Sequence, residues 1–350
     1  MFDNKFKLPL VTDADIAWAC NEMRLPANAF SGPDGTDPRA DVLKRMDTID
    51  IEACPGSGKT TLLVAKLAIL ANKWIDARRG LCVLSHTNAA RNEIATRIGT
   101  CAAGKAVLRY PHFVGTIHAL ANEFLAMPWL RSNGYLVRAV DTELVQNMRW
   151  CRLPYPTRAY LARNHLDQTC LSYDRADFGG GLKSRLGEHT PTYKTLAKIC
   201  EETSKEGFFC YDEMFVWAKQ LLDIFPETAS NLRRRFPLVI VDEAQDNSEL
   251  QSAFLYRLFR EGNFPAVRQR LGDSNQAIYN NAEQDDGATT DAFPSGIKLD
   301  LPHSFRFGQV IANLADPIAP TPQGMIGRGP LIEDRRNTIF LFNDQSILSV

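Results

Sequence analysis

Two stretches hold the residue types that could do chemistry together: residues 53–61, ACPGSGKTT, and residues 239–247, VIVDEAQDN. In the first, glycines let the backbone bend so that several N–H groups face one anion. A helix starting there adds partial positive charge. Ala53, Pro55, Gly56, Ser57, Gly58, Lys59, Thr60 and Thr61 are therefore candidates to hold the phosphates of a nucleotide such as ATP. Lys59 would reach the β- and γ-phosphates, and the Thr60 hydroxyl would ligate Mg²⁺. The usual pattern starts with Gly where this chain has Ala53, and Cys54 inside the loop reads as a small packing residue. In the second stretch an apolar run ends in acids. Asp242, at a strand end, is the candidate for the Mg²⁺ side. Glu243 is the candidate base for an attacking water. Asp246 reads as a cap of the next helix.

These residues need strands that end at one edge and helices that begin there. Residues 48–54, 81–84, 113–115 and 238–241 are short strand-like runs. Each is followed by a helical pattern, at 60–71, 88–98, 117–127 and 248–260. Such alternation predicts a parallel sheet with helices on both faces. The run at 266–271, AVRQRL, is more polar than a buried parallel strand should be, so Arg268 and Arg270 face a charged interface or the strand lies near an edge. Residues 131–206 differ in character: helical and loop-like, with Gly179–Gly181 and several Pro breaks, and with twelve Lys/Arg against nine Asp/Glu. That modest excess leaves open a solvated insertion or a nucleic-acid surface. PIAPTPQG, from Pro317, reads as a linker, and NTIFLF at 337–342 as the first strand of a new unit.

Composition sets limits. The formal net charge is -1 over 350 residues, so any nucleic-acid surface is local. The longest apolar stretch, Leu62 to Ala71, is interrupted by Lys66, so no membrane span is expected. Eight cysteines without a CxxC pair read as reduced thiols of a cytoplasmic protein, not a zinc or iron–sulfur site.

The order of motifs resembles the UvrD/Rep-type superfamily 1 helicases. ACPGSGKTT is similar to their Walker A loop and IVDEAQDNSELQ to their Walker B segment. SHTNAARNEIATRI, VGTIHALANEFL, LGDSNQAIY and LPHSFRF are similar to four further motifs in the family's order. The resemblance implies an α/β fold: a RecA-like P-loop NTPase domain with a mainly helical inserted subdomain. It implies a first motor domain from 1–130 and 207–315, an insert at 131–206, and an incomplete second motor domain from 316–350. It further implies that Gln276 senses the γ-phosphate and that Arg306 contacts it as a finger. Phe305 stands where a Tyr stacks on adenine. Gln245 would lie between the motor domains and link ATP to DNA. His86, Thr87, Asn88, Thr116 and His118 would lie along the DNA path. The implied activity is ATP hydrolysis with Mg²⁺ on single-stranded or partly duplex DNA.

Several positions depart from the family's pattern. No Gln precedes Gln146, so the upstream Gln that reads adenine is missing. His86, Ile117 and Asn281 stand where base-stacking aromatics are usual. The family's later motifs have no match, so the chain is expected to be the front portion of a longer protein. Two functions follow. One is a helicase or translocase. The other is an ATP-dependent switch subunit that controls a partner such as a nuclease, by likeness to short UvrD-like proteins of bacterial antiphage systems. A P-loop kinase is disfavoured by the motifs around Gln276 and Arg306.

Overall fold

The computed structural model describes residues 6–32, 35–178, 181–277, 291–295 and 297–329. Asn281, Gly179, Gly180 and the NTIFLF run lie outside them, so the expectations placed there are not addressed. Among the described residues the strands are β1 (Ile49–Ala53), β2 (Leu81–Ser85), β3 (Phe113–Thr116), β4 (Ala139–Val140), β5 (Phe208–Phe209), β6 (Leu238–Val241), β7 (Val267–Gly272), β8 (Lys298–Leu301), β9 (His303–Ser304) and β10 (Ile326–Gly327). Six form one sheet in the order β3-β2-β6-β7-β1-β8, with every pair parallel. All the strand ends that precede a motif therefore share one edge.

The inner strands are buried on both faces, which is why β2 and β6 read as apolar runs. Side chains still alternate. Leu81, Val83, Leu238 and Ile240 join Ile49, Ile51 and the helix Lys59–Lys73 in one core. Cys82, Leu84, Val239 and Val241 join the other core, with Ile117, Leu120, Phe254 and Leu258. Helix Lys59–Lys73 buries every residue from Leu62 to Leu70, Lys66 included. Lys66 survives there because its ammonium donates to the carbonyls of Val42 at 2.6 Å and Arg45 at 2.7 Å.

β7 is not near an edge. It lies between β6 and β1, and its polar residues are paired rather than exposed. Arg268 makes two bonds to Asp291, at 2.5 and 2.7 Å, and Arg270 two to Asp50, at 2.7 and 2.6 Å. Gln269, on the opposite face, donates to the carbonyls of Arg45 and Asp47. The charged-interface expectation holds, and the edge expectation does not.

Between β3 and β6 the chain is mostly helical: Thr142–Arg152, Tyr155–Arg163, Pro191–Lys205, Tyr211–Ile224 and Glu227–Arg235, with β4 and β5 paired in parallel. At its centre Arg149 and Glu213, both fully buried, form a two-pronged ion pair at 2.5 and 3.1 Å. The helix after β3 runs through a π-turn at Asn122–Ala126 into Met127–Ser132, with Arg131 in its last turn.

Residues 316–329 are not a free linker. Asn275 and Thr321 exchange two hydrogen bonds at 2.8 and 2.9 Å. The Asp316 carboxylate accepts from the Gln323 and Gly324 N–H groups, and β10 pairs with β9. Among the described residues, no helix is long and apolar enough to cross a membrane.

Candidate functional site

β1 ends at Ala53, and the loop after it turns through Gly56 and Gly58, at φ of 80° and 83°. Both values lie in the left-handed region that favours glycine. Gly56 has a second reason: a Cβ there would stand 2.6 Å from the Cβ of Arg306 and 2.7 Å from Ser304 Oγ. The segment Ser304–Arg306 is thus laid directly on the loop. Ser304 Oγ donates to the Pro55 carbonyl at 2.7 Å, and the Phe305 N–H to the Gly56 carbonyl at 2.9 Å. Gly58 is the residue before helix Lys59–Lys73, so the N–H groups of Lys59, Thr60 and Thr61 open toward the loop. Ser57 is buried, and its hydroxyl finds no partner among the described residues. Burial pushes the Cys54 thiol up to about 12, which suits a packing residue.

Asp242 follows β6, where its N–H donates to the Leu84 carbonyl at 2.8 Å. Burial first, and then the charge of Glu243, raise its carboxyl to about 7. Its Oδ1 is buried without a hydrogen-bond partner among the described residues. A divalent cation would satisfy that oxygen, and Thr60 stands in the first turn of the helix after the loop. Among the described residues no cluster of three or more His, Cys, Asp or Glu could hold a metal. The residues present therefore fit a cation shared with a phosphate chain, as Mg²⁺ commonly is, rather than one caged by protein.

Glu243 is a non-glycine residue at φ 50°, and Lys59 Nζ lies 3.4 Å from its carboxylate. Gln245 donates to that carboxylate at 2.9 Å and accepts the Asp273 N–H at 3.0 Å. Gln276 donates to the Asp273 carboxylate at 2.7 Å. One continuous chain, Lys59–Glu243–Gln245–Asp273–Gln276, thus joins the ends of β1, β6 and β7. Gln245 is buried in it, in the turn that follows β6. Asp246 is not the helix cap. Ser248 caps helix Glu249–Phe259 and forms a reciprocal pair with Gln251, which a Ser three residues ahead of a Gln signals in the sequence.

His86, Thr87 and Asn88 follow β2, Thr116 ends β3 and His118 follows it, all at the same sheet edge. The Thr87 and Thr116 side chains accept from the N–H groups of Ala90 and Ala119, so each hydroxyl caps its helix. Asn88 is exposed. His118 lies edge-on to Phe215, with ring centres 4.7 Å apart, and to Tyr211 at 5.7 Å. Burial lowers its pKa, against the opposing charge of Asp212. Ile117 is fully buried in the core, so this position packs rather than stacks.

A family model described as the UvrD/REP helicase N-terminal domain matches residues 36–283. The chain belongs to this family. It is 23% identical over 288 residues to DNA helicase II of Salmonella typhimurium, covering 78% of this chain and 38% of that protein. It is 27% identical over 277 residues to the ATP-dependent DNA helicase UvrD1 of Mycobacterium tuberculosis, covering 73% and 35%. Similarity to the ATP-dependent DNA helicase srs2 of Schizosaccharomyces pombe is 26% over 258 residues, covering 65% and 28%. The chain thus spans less than two-fifths of the length of these relatives.

Beside the loop of this UvrD/REP-type domain, a cleft is lined by Asn28, Phe30, Arg39, Gly58, Thr61 and Phe305. Phe305 is half-exposed, with the Arg39 guanidinium 4.1 Å from its ring centre. Arg306 is exposed next to Gly56. Sequence reasoning missed Arg39 and Asp37, because neither carries a spacing signal. It also missed Asp273 as the junction of Gln245 and Gln276, although its place in LGDSNQ was visible.

Proposed function

We propose that this chain is the ATP-hydrolysing motor portion of a UvrD/Rep-type DNA helicase or translocase, working with Mg²⁺ on single-stranded DNA. The observation that carries this reading is the chain Lys59–Glu243–Gln245–Asp273–Gln276. Phosphate binding alone needs only the loop and Asp242. A relay of side chains across three strand ends gives the phosphate state a way to reach the rest of the edge. When a γ-phosphate draws the Lys59 ammonium away, Glu243 loses that partner and stays oriented by Gln245, free to take a proton from water. Mg²⁺, when held by Thr60 and Asp242, would supply charge neutralisation for the phosphates. Arg306, carried on the segment laid over Gly56, would stabilise charge on the transferred phosphoryl group. Phe305 would offer a stacking face to the base. His86, Thr87, Asn88, Thr116 and His118 share the strand-end edge and form the proposed DNA path. In this reading 1–130 with 207–315 make the first motor domain, 131–206 its insert, and 316–350 lead into a second. A cytoplasmic setting fits the reduced cysteines.

A second reading is an ATP-dependent switch that controls a partner nuclease without processive unwinding. One observation favours it: Ile117 is buried in the core where a stacking aromatic is expected. The test is ATP turnover with and without a single-stranded oligonucleotide, followed by strand separation with the complete protein. Stimulated turnover with unwinding supports the motor. Stimulated turnover without unwinding supports the switch. No turnover even with DNA overturns both.

A further inference from the structure

The starts of β2, β3 and β6 share the sheet edge opposite the phosphate loop, because these strands run parallel. Three segments meet there. The Gly80 N–H donates to the Arg235 carbonyl at 2.8 Å, and a Cβ on Gly80 would collide with the Pro111 carbonyl. Residues 74–80, 105–112 and 234–237 together hold six Lys/Arg against one acid, Asp76, in a chain of net charge -1. Asp76 is already engaged, since its carboxylate accepts from the N–H groups of Arg78 and Arg79, each at 2.8 Å. Arg235 is held by rings. Its guanidinium lies 5.0 Å from the ring centres of Tyr110 and Phe236 and 5.5 Å from that of Phe124. Its Nε is buried and finds no partner among the described residues. A cation caged by rings keeps its pull on an incoming anion. Arg78, Arg109 and Arg234 are exposed on the same segments. So are apolar side chains: Ile75 is 95% exposed and Tyr110 67%, with Leu108 exposed two residues before Tyr110. Charge of one sign mixed with open apolar groups marks a surface built to be covered.

We propose that this edge docks a partner protein through an acidic segment that also carries aliphatic side chains. Carboxylates of the segment meet Arg78, Arg109 and Arg234, and its aliphatic groups cover Ile75 and Leu108. The local charge excess calls for an anionic partner. The rings decide which kind. A single-stranded nucleic acid is gripped by open ring faces on which successive bases stack. Here Arg235 lies over Tyr110, Arg79 lies over Phe6 at 5.3 Å, and Trp74 stands against Phe6 and His112. The most exposed apolar group of the three segments, Ile75, offers a base no stacking face. Nothing in this surface depends on how the phosphate loop is used.

The test is selection of short peptides from a random displayed library on the chain, then fluorescence anisotropy titration of the selected peptides. The selected sequences should be enriched in Asp and Glu beside Leu or Ile, and their binding should weaken as salt rises. Two variants locate the site. Arg109→Glu/Arg234→Glu and Ile75→Asp should each raise the Kd at least about tenfold, the first by reversing charge and the second by setting an acid where an aliphatic group docks. All three positions are exposed, and circular dichroism checks that each variant keeps its fold. If the double variant does not fold, Ile75→Asp decides. A thymidine oligonucleotide should not displace the peptide. A library that yields no joint enrichment of acids and aliphatics, unchanged affinity in a folded variant, or displacement by the oligonucleotide would each overturn the proposal, the last by making the surface one for nucleic acid.

Discussion

Glu243 combines two properties rarely found in a merely structural acid. Its backbone sits at φ 50°, a region disfavoured for any residue with a Cβ, and its carboxylate holds both Lys59 and Gln245. Strain kept at one residue aims its side chain, here into the space between the loop and Asp242. Two substitutions separate its proposed role from that of Lys59. Glu243→Gln keeps the shape and the contact to Gln245, and it frees Lys59 for phosphate. ATP affinity should hold, while turnover falls ~10²–10⁴-fold. Turnover near the wild-type level would remove Glu243 from the base role. Lys59→Ala should instead weaken ATP binding itself, by about tenfold or more, through loss of a charge-assisted contact. Unchanged affinity in the same titration would count against the loop.

The elements around these residues were legible where apolar pattern alone decides structure. β2 and β6 bury every side chain, and their runs are unbroken in the sequence. The turn at Gly56 and Gly58 and the place of the acids after β6 were legible too, because glycine at positive φ and acids at a strand end leave marks in spacing. β7 shows where such reading stops. Nothing near VRQRLG announces that Asp50 and Asp291, far away in sequence, pair with its arginines, so polarity there suggested an edge. The same holds for Thr321 on Asn275, which turns an apparent linker into part of the fold, and for Arg39 on Phe305. Long-range polar pairs have no periodicity. Lys66, in the middle of the phosphate-loop helix, offers a test at this scale. Burial drops its pKa to about 7, with the nearby Asp47 opposing and Arg45 assisting that shift. The unfolded chain, with lysine near its ordinary 10.5, then binds more protons than the folded one above about pH 7. Lys66 therefore costs stability most below pH 7, and the cost fades as pH rises. Replacing it by Met removes the titration, while the Arg45 carbonyl keeps its Gln269 donor. The stability difference between wild type and Lys66→Met should shift in favour of wild type by a few kcal/mol between pH 6.5 and 9. Comparing the two proteins cancels the contribution of the buried cysteines. A flat difference in urea titrations across that range would show that Lys66 is not desolvated as its surroundings imply.

At the scale of the whole molecule, the arrangement of the cores argues that the helical block and the sheet unfold together. One core is continuous from Leu196, Phe209 and Trp217 in the block to Leu84, Val239 and Val241 on the sheet. Arg149 and Glu213 stand within the block, where Arg149 also donates to Thr203 and to the Leu171 carbonyl. Removing one member of a buried ion pair typically costs about 3–5 kcal/mol, because the remaining charge has no water to replace its partner. Glu213→Gln should approach that loss, softened by the hydrogen bonds an amide still makes. If the block were an appendage, the loss would stay local: helix Pro191–Lys205 would lose hydrogen-exchange protection while β6 kept it. The shared core predicts the opposite. Amides of that helix and of β6 should lose protection at the same denaturant concentration in both wild type and Glu213→Gln, with the variant's transition shifted lower as a unit. Separate transitions would mean that the block folds independently of the sheet, and that motion proposed at the nucleotide edge need not reach it. A single shared transition would mean that any change relayed from Lys59 through Gln245 acts on a body that already includes the helices beside His118.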